Sequence, residues 1–162
     1  MTGLKLAAAL VALSAAALAA DGSAAALSAD GFPVINPAQL SWKPKDALPP
    51  GAHGAVVRGD PHQGPYAFFG RFPARFTVPM HWHTNDVAVV MSEGAMVIEP
   101  QQGAAQRIEQ GGYFFLPGMM RYVAKCAGPC TFLAWGEKPF DIIYADPKDD
   151  PRLRKVAGEA AK

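Results

Sequence analysis

From residue 54 to residue 144 the sequence is divided into short runs rich in valine, phenylalanine, tyrosine and isoleucine. These residue types favour extended strands, and the breaks between the runs contain Gly, Pro, Asn or Asp. The chain has sixteen glycines and fifteen prolines, which indicates many turns rather than long helices. Ten such runs at nearly regular spacing predict an all-β domain, a sandwich or barrel of antiparallel strands. The predicted strands are Gly54–Arg58, Tyr66–Phe72, Phe76–His83, Asp86–Ser92, Ala95–Glu99, Ala105–Glu109, Gly112–Leu116, Arg121–Cys126, Thr131–Trp135 and Phe140–Tyr144.

The first residues have a different composition, typical of a secretory signal peptide. A single lysine, Lys5, precedes an uncharged apolar run from Leu6 to Ala20, and Ala17-Leu18-Ala19 fits the small-residue pattern before a cleavage site. A second candidate site is Ala24-Ala25-Ala26. The run is short for a bilayer span, which needs roughly 20 residues. We therefore predict a signal peptide over residues 1–20, cleaved between 19 and 29, and a periplasmic or secreted mature protein without a stable membrane anchor.

The mature chain divides into three predicted parts. Residues 30–50 are expected to form an extended arm across the domain, with Trp42 as its anchor. Residues 51–146 contain the predicted strands and form the barrel. Residues 147–162 are charged, and they fit a short helix or a solvated tail equally well. Asp150-Pro151 is a plausible helix start, because proline is tolerated in the first turn.

Two cysteines, Cys126 and Cys130, are separated by Ala-Gly-Pro. The intervening residues are typical of a turn, and apolar runs lie on both sides. No histidine or third cysteine lies nearby in the sequence to complete a thiolate metal site. We predict a disulfide that closes the neck of a hairpin, which an oxidising compartment permits. A redox-active pair is the alternative, although such pairs normally have two intervening residues.

His81 and His83 are the strongest candidate functional residues. They are two positions apart on a predicted strand, so both side chains are expected on one face. In a barrel that face is the interior, where two imidazoles can share one metal ion. A stable metal centre needs three or four ligands, so the rest of the chain must supply the others.

The sequence resembles the cupins, small β-barrel proteins that take metal ligands from two motifs. The first motif has H-x-H, a glutamate three or four residues later, and a following glycine, for which His81, His83 and Gly94 match. The second has glycine, five residues, P-x-G, two residues and a histidine, for which Gly111, Pro117 and Gly118 match. The resemblance covers about residues 40–152 and implies a jelly-roll-like cupin barrel. It also rests on Trp42, Pro49-Pro50-Gly51-Ala52, Phe140–Tyr144 and Asp149-Asp150-Pro151-Arg152.

Two expected ligands of the family are missing. Val87 stands four residues after His83, where the family has glutamate, and Asp86 is adjacent but one position out of phase. Counted from Gly118, Arg121 takes the place of the last histidine. A guanidinium is always protonated and repels a cation. We therefore expect no cofactor; if a metal is held, iron, copper or zinc at His81 and His83 is the candidate.

Three hypotheses on function follow. In the first, the barrel binds a small polar or anionic molecule through His81, His83, Met119 and Arg121, whose guanidinium pairs with an anion. The alternative role for Arg121 is a structural ion pair with a buried carboxylate such as Asp86.

In the second hypothesis, a dioxygenase- or isomerase-type enzyme holds a metal through His81, His83 and Asp86. In the third, the two histidines bind copper with methionine thioethers. The methionines are Met80, Met119 and Met120.

The remaining partners are predicted from charge and from the resemblance. A formal net charge of +1 gives no electrostatic reason to expect nucleic acid. The resemblance to cupins implies a homodimer. His53 and His62 lie beside predicted turns and are interpreted as loop residues outside the site.

Overall fold

The computed structural model describes residues 33–154, and the predicted signal peptide and its cleavage region lie outside these residues. The described part consists of eleven short strands, two 3-10 helices and one helical turn at residues 151–154. The predicted all-β class is confirmed. The strands are β1 Lys43–Pro44, β2 His53–Gly59, β3 Tyr66–Phe72, β4 Phe76–Trp82, β5 Val87–Glu93, β6 Ala95–Pro100, β7 Gln106–Glu109, β8 Tyr113–Leu116, β9 Tyr122–Cys126, β10 Cys130–Gly136 and β11 Ile143–Tyr144.

The strands form two antiparallel sheets. One has six strands in the order β1-β2-β3-β10-β5-β8, and the other has five in the order β11-β4-β9-β6-β7. Consecutive strands often lie in different sheets, as expected for a jelly roll. Apolar side chains of both sheets, including Val89, Met96 and Phe132, are buried between them. The predicted cupin-type barrel is therefore correct in its architecture.

The N-terminal arm is attached to the barrel at three points. Strand β1 pairs with the edge of β2, so the arm extends the six-stranded sheet. The Trp42 ring lies under the Arg71 guanidinium, whose central carbon is 4.3 Å from the ring centroid. Further along, the Tyr144 hydroxyl donates a hydrogen bond to the Ala47 carbonyl at 2.8 Å. These contacts hold residues 42–47 against one end of the barrel.

Cys126 and Cys130 form a disulfide. Its position differs from the prediction of a hairpin neck, because β9 and β10 belong to different sheets and do not pair. The bond closes the corner where the chain passes from one sheet to the other. Closing so short a loop contributes about 2 kcal/mol in the chain-entropy model.

Up to residue 154 the C-terminal segment is helical, which agrees with the short helix, one of the two predicted alternatives. A 3-10 helix over Pro147–Asp149 is followed by helical residues 151–154. Asp150 begins this turn, because its carboxylate accepts from the Arg152 backbone N–H at 2.9 Å. Within residues 33–154 no helix has the length and hydrophobicity to span a bilayer.

Candidate functional site

The two sheets enclose a cavity of about 1210 Å³ that opens beneath the N-terminal arm. Most of its wall is apolar, with Val78, Val89, Ile98 and Phe132 as examples. A volume of this size accommodates a small organic molecule. The polar side chains deep in the wall are those of His81, His83 and Tyr122, all of which are buried.

A bulge in β4 turns both histidines toward this cavity. Phe76 and Val78 face the core, so regular alternation would point residues 81 and 83 outward. Between the pairs Val78–Ala124 and His81–Tyr122, however, β4 contains one residue more than β9. An extra residue reverses the alternation beyond it. Pro79 lies in the bulge. Proline has no backbone N–H to donate, and at a bulge this costs no hydrogen bond between the strands.

Hydrogen bonds determine which ring nitrogen of each histidine carries its proton. His81 Nδ1 lies 2.7 Å from the Pro79 carbonyl, and His83 Nδ1 lies 2.5 Å from the Asp141 carbonyl. A carbonyl only accepts, so both Nδ1 atoms are protonated and both Nε2 atoms are acceptors. The Tyr122 hydroxyl donates to His83 Nε2 at 2.7 Å. His81 Nε2 forms no hydrogen bond with any side chain or backbone group of residues 33–154.

Burial keeps the polar cluster of His81, His83 and Tyr122 uncharged at neutral pH. Desolvation, with a smaller contribution from His83, lowers the pKa of His81 to about 3, against a raising effect of the Pro79 carbonyl. Desolvation also lowers the pKa of His83, which the Asp141 carbonyl partly opposes. Burial raises the pKa of Tyr122, so its hydroxyl remains a hydrogen-bond donor. The cavity therefore offers one free neutral imidazole acceptor, at His81 Nε2.

Arg121 and Met119 lie outside the cavity, so their predicted placement beside the histidines is wrong. Arg121 is exposed, and its guanidinium stacks 4.4 Å from the centroid of the Trp82 ring. It forms no ion pair with Asp86. Met119 is 61% exposed at a turn, with φ of 66°. Neither side chain is available to a molecule inside the barrel.

Tyr122 is the site residue that sequence reasoning missed. Its partner in the β4–β9 register is His81, and the two rings are 4.3 Å apart at their centroids. Counting the second motif from Pro117 instead of Gly118 puts residue 122 at the position of the last histidine. The same count puts Met119 at the motif's glycine, which agrees with its left-handed backbone. The spacing of the second motif is therefore kept when it is counted from Pro117, with Tyr122 in place of the last histidine.

Asp86 also points away from the site. It is exposed, and its carboxylate accepts from the Gly118 backbone N–H at 2.7 Å. The prediction of Asp86 as a third metal ligand is therefore wrong. Val87, at the place of the family's glutamate, is buried in the cavity wall. Residues 33–154 contain no group of three His, Cys, Asp or Glu side chains that could hold a metal.

The donor set does not fit the usual metal centre of the family. Two imidazoles are present, but the carboxylate and the third imidazole are replaced by a valine and a tyrosine whose proton is held by His83. The thioethers proposed for copper are also misplaced, because Met80, Met119 and Met120 do not border the cavity. The interpretation of His53 and His62 as loop residues outside the site is wrong in part, because His53 is the first residue of β2 and both residues border the cavity at its outer rim.

Comparison with known proteins identifies the architecture. No family model and no curated protein matches the sequence. Among solved structures, the polyketide cyclase RemF from Streptomyces resistomycificus aligns with a TM-score of 0.64 and 13% identity, over 77% of this chain and 93% of that one. An RmlC-like cupin from Ralstonia eutropha aligns at 0.58 and 15%, over 79% and 86%. The chain has the cupin fold. Identities this low establish the fold alone.

A third solved structure that aligns with this chain is also named as an enzyme. Salicylate 1,2-dioxygenase from Pseudoaminobacter salicylatoxidans aligns with a TM-score of 0.52 and 15% identity, over 59% of this chain and 29% of that one. Proteins similar in fold to this chain thus include a cyclase and a dioxygenase.

Proposed function

We propose that this protein binds a small, mainly apolar molecule in its barrel cavity through a hydroxyl group that donates to His81 Nε2. The observation that carries the proposal is an imidazole acceptor that has no hydrogen-bond partner among residues 33–154, on the wall of a mostly apolar cavity. A buried polar atom is stabilised when it gains a hydrogen bond, so a ligand hydroxyl at this point is favourable. This ligand differs from the polar or anionic one predicted from the sequence, because Arg121 lies outside.

The rest of the cluster supports recognition without a metal. Pro79 and Asp141 fix the two ring orientations, and Tyr122 satisfies His83, so His81 Nε2 is positioned before any ligand arrives. Such preorganisation lowers the entropic cost of binding. The apolar wall contributes through burial of ligand surface, about 25 cal/mol per Å² of apolar area.

The test uses 2-naphthol and its methyl ether, 2-methoxynaphthalene, which lacks the donor. Titration calorimetry should give roughly three- to tenfold tighter binding of the naphthol to the parent protein, the value of one hydrogen bond. His81→Phe should bind the two probes equally, while His62→Phe, at the exposed rim, should keep the preference. Equal affinities in the parent, or no binding of either probe, would contradict the proposal.

A metal-dependent enzyme is the second candidate, favoured by one observation. Both histidines donate Nδ1–H to a backbone carbonyl, the arrangement that commonly orients imidazoles toward a metal. Fold similarity to salicylate 1,2-dioxygenase is compatible with this candidate. Element analysis of protein purified from its native compartment is the test: a stoichiometric metal lost in His81→Ala would replace the metal-free proposal.

We also propose that the mature protein acts outside the cytoplasm. The signal-like residues 1–20 and the disulfide Cys126–Cys130 support this location. Cell fractionation, with mass measurement of the mature N-terminus, tests it; a cytoplasmic full-length chain would contradict it. The homodimer implied by the resemblance to cupins stays a prediction, which light scattering can check.

A further inference from the structure

Lys45 lies on the inner face of the six-stranded sheet, although it belongs to the arm. A Cβ built at Gly54 would be 2.3 Å from Lys45 Cε and 3.3 Å from its Nζ. Gly54 pairs with Gly70, and Gly70 pairs with Phe132, so all three point to the same side. Phe132 lies in the core and in the cavity wall. The lysine side chain therefore crosses Gly54 on the side that faces the cavity.

Glycine at position 54 is what permits this path. Any larger residue would overlap the lysine methylenes, because the distance of 2.3 Å between such a Cβ and Lys45 Cε is far below van der Waals contact. The methylenes of Lys45 thus cover the glycine backbone, and Lys45 is one of the residues that line the cavity. Nothing in the sequence pattern around Lys45 indicates this inward position.

Among residues 33–154 the Lys45 ammonium forms no ion pair. The ion pairs formed within residues 33–154 join Arg107 to Glu109, Lys125 to Glu99 and Arg152 to Asp150. No side-chain hydrogen bond of Lys45 is formed in that part of the chain. The side chain is half-buried, and desolvation together with the nearby Lys43 lowers its pKa. A partly desolvated cation beside an apolar cavity is stabilised by an anion.

We propose that Lys45 binds a carboxylate group of the molecule held in the cavity, so that the ligand is a mainly apolar carboxylic acid. This inference rests on the proposed function and adds a second polar contact to it. A single ammonium suits a monoanion. The ligand is held by its apolar body against the barrel wall, by a hydroxyl at His81 and by a carboxylate at the arm. Because Lys45 belongs to the arm, binding also links the arm to the barrel interior.

The experiment compares 2-naphthoate with 2-naphthol, which have the same apolar body. Lys45→Met should weaken binding of the naphthoate by roughly ten- to a hundredfold, the range for a hydrogen bond to a charged group, and leave binding of the naphthol within about twofold. Lys45→Arg should restore most of the loss. Lys138→Met removes the same charge from an exposed loop outside the cavity and should change neither affinity.

The possible outcomes separate this inference from the proposed function. Naphthol binding that depends on His81, combined with naphthoate binding unchanged in Lys45→Met, would overturn the carboxylate site alone. An equal loss for both probes in Lys45→Met would mean that the lysine only shapes the arm, and would also overturn it. Absence of binding by either probe to the parent protein would overturn both proposals. Circular dichroism confirms that each variant is folded.

Discussion

At the scale of single residues, the cavity contains a polar cluster that is stable because nearly every polar atom in it has a partner. His83 uses both ring nitrogens, one with the Asp141 carbonyl and one with the Tyr122 hydroxyl. His81 uses one, with the Pro79 carbonyl. Buried polar groups that are paired in this way cost little free energy, whereas the one unpaired acceptor is available for a ligand.

We expect stability to decrease as the pH falls from about 6.5, the pKa of an unfolded histidine. Burial lowers the pKa of His81 to about 3 in the folded state, so between these values the unfolded chain binds a proton that the folded one does not. From pH 7 to pH 5 this one residue should reduce the free energy of unfolding by about 2 kcal/mol. Urea unfolding at both pH values measures it.

The control for that measurement is His81→Phe, which removes the titrating ring. Its free energy of unfolding should depend less on pH between 7 and 5 than that of the parent, by about the same amount. His83, whose pKa is also lowered, should retain its own contribution in the variant. Identical pH profiles for the two proteins would show that the His81 ring takes up its proton equally in the folded and unfolded states.

Tyr122→Phe should leave His83 Nε2 buried without a donor. The expected loss is about 1–2 kcal/mol in the free energy of unfolding, because the ring is kept and only the hydrogen bond disappears. Chemical denaturation measures this loss. Tyr113→Phe is the matched control, since Tyr113 is 59% exposed and its change should have almost no effect. Equal stabilities of the two variants would argue against the bond to His83.

Only some of the site residues could be predicted from the sequence. The H-x-H spacing correctly predicted that His81 and His83 share a buried face, although it gave no sign of the bulge that makes this face the inner one. The assignment of Arg121 failed because the second motif was counted from Gly118 instead of Pro117, and a shift of one residue on a strand exchanges inside for outside. The inward position of Lys45 could not be predicted, since it depends on how the arm packs across Gly54 and not on any pattern of residue types.

At the scale of elements, the corner between β9 and β10 packs against the turn between β5 and β6, where the chain also passes from one sheet to the other. Gly94 joins these two strands with φ of 69°, a left-handed conformation that strains other residues. A Cβ there would lie 2.2 Å from the Pro129 carbonyl oxygen, within the disulfide loop. The glycine predicted from the first motif is thus required both by the turn and by a close approach of two loops.

Gly94→Ala should therefore lower the free energy of unfolding by about 2 kcal/mol or more, from backbone strain and steric overlap together. Thermal or urea unfolding measures the loss. Gly128→Ala is the control in the neighbouring loop, because a Cβ at Gly128 meets no atom within 4 Å. Comparable effects of both substitutions would show that the contact with Pro129 is unimportant.

Most of the strands were predictable, because each depends on local residue types. Runs such as Tyr66–Phe72 and Ala95–Pro100 are ended by turn residues that are evident in the sequence. The role of the disulfide was not predictable in the same way. Cys126 and Cys130 lie on consecutive strands, and only the pairing of each strand with others reveals that they belong to different sheets.

At the scale of the whole molecule, the arm covers one end of the cavity and depends on few contacts. The Arg71 side chain stacks on Trp42, and Tyr144 binds the Ala47 carbonyl. A cation–π contact of this exposed kind is worth about 0.5–1 kcal/mol. The arm is therefore a part of the molecule whose local opening should be sensitive to single substitutions.

Arg71→Ala should increase hydrogen exchange at the Lys45 amide, which donates to the Ala52 carbonyl at 3.1 Å. The expected increase is roughly two- to fivefold, corresponding to the loss of one exposed cation–π contact. Arg121→Ala is the matched control, because Arg121 stacks on Trp82 away from the arm. Hydrogen exchange of the Lys45 amide, measured by NMR, that is equal in both variants would contradict the anchoring role of Trp42.

The bulge in β4 has a consequence for how such a cavity changes during evolution. One additional residue between Val78 and His81 sets the orientation of everything that follows in the strand. Loss of a single codon there would expose both imidazoles to water and bring Trp82 inward. A descendant gene could thus exchange a polar pocket for a wholly apolar one in one step, whereas point mutations would have to replace the two rings separately.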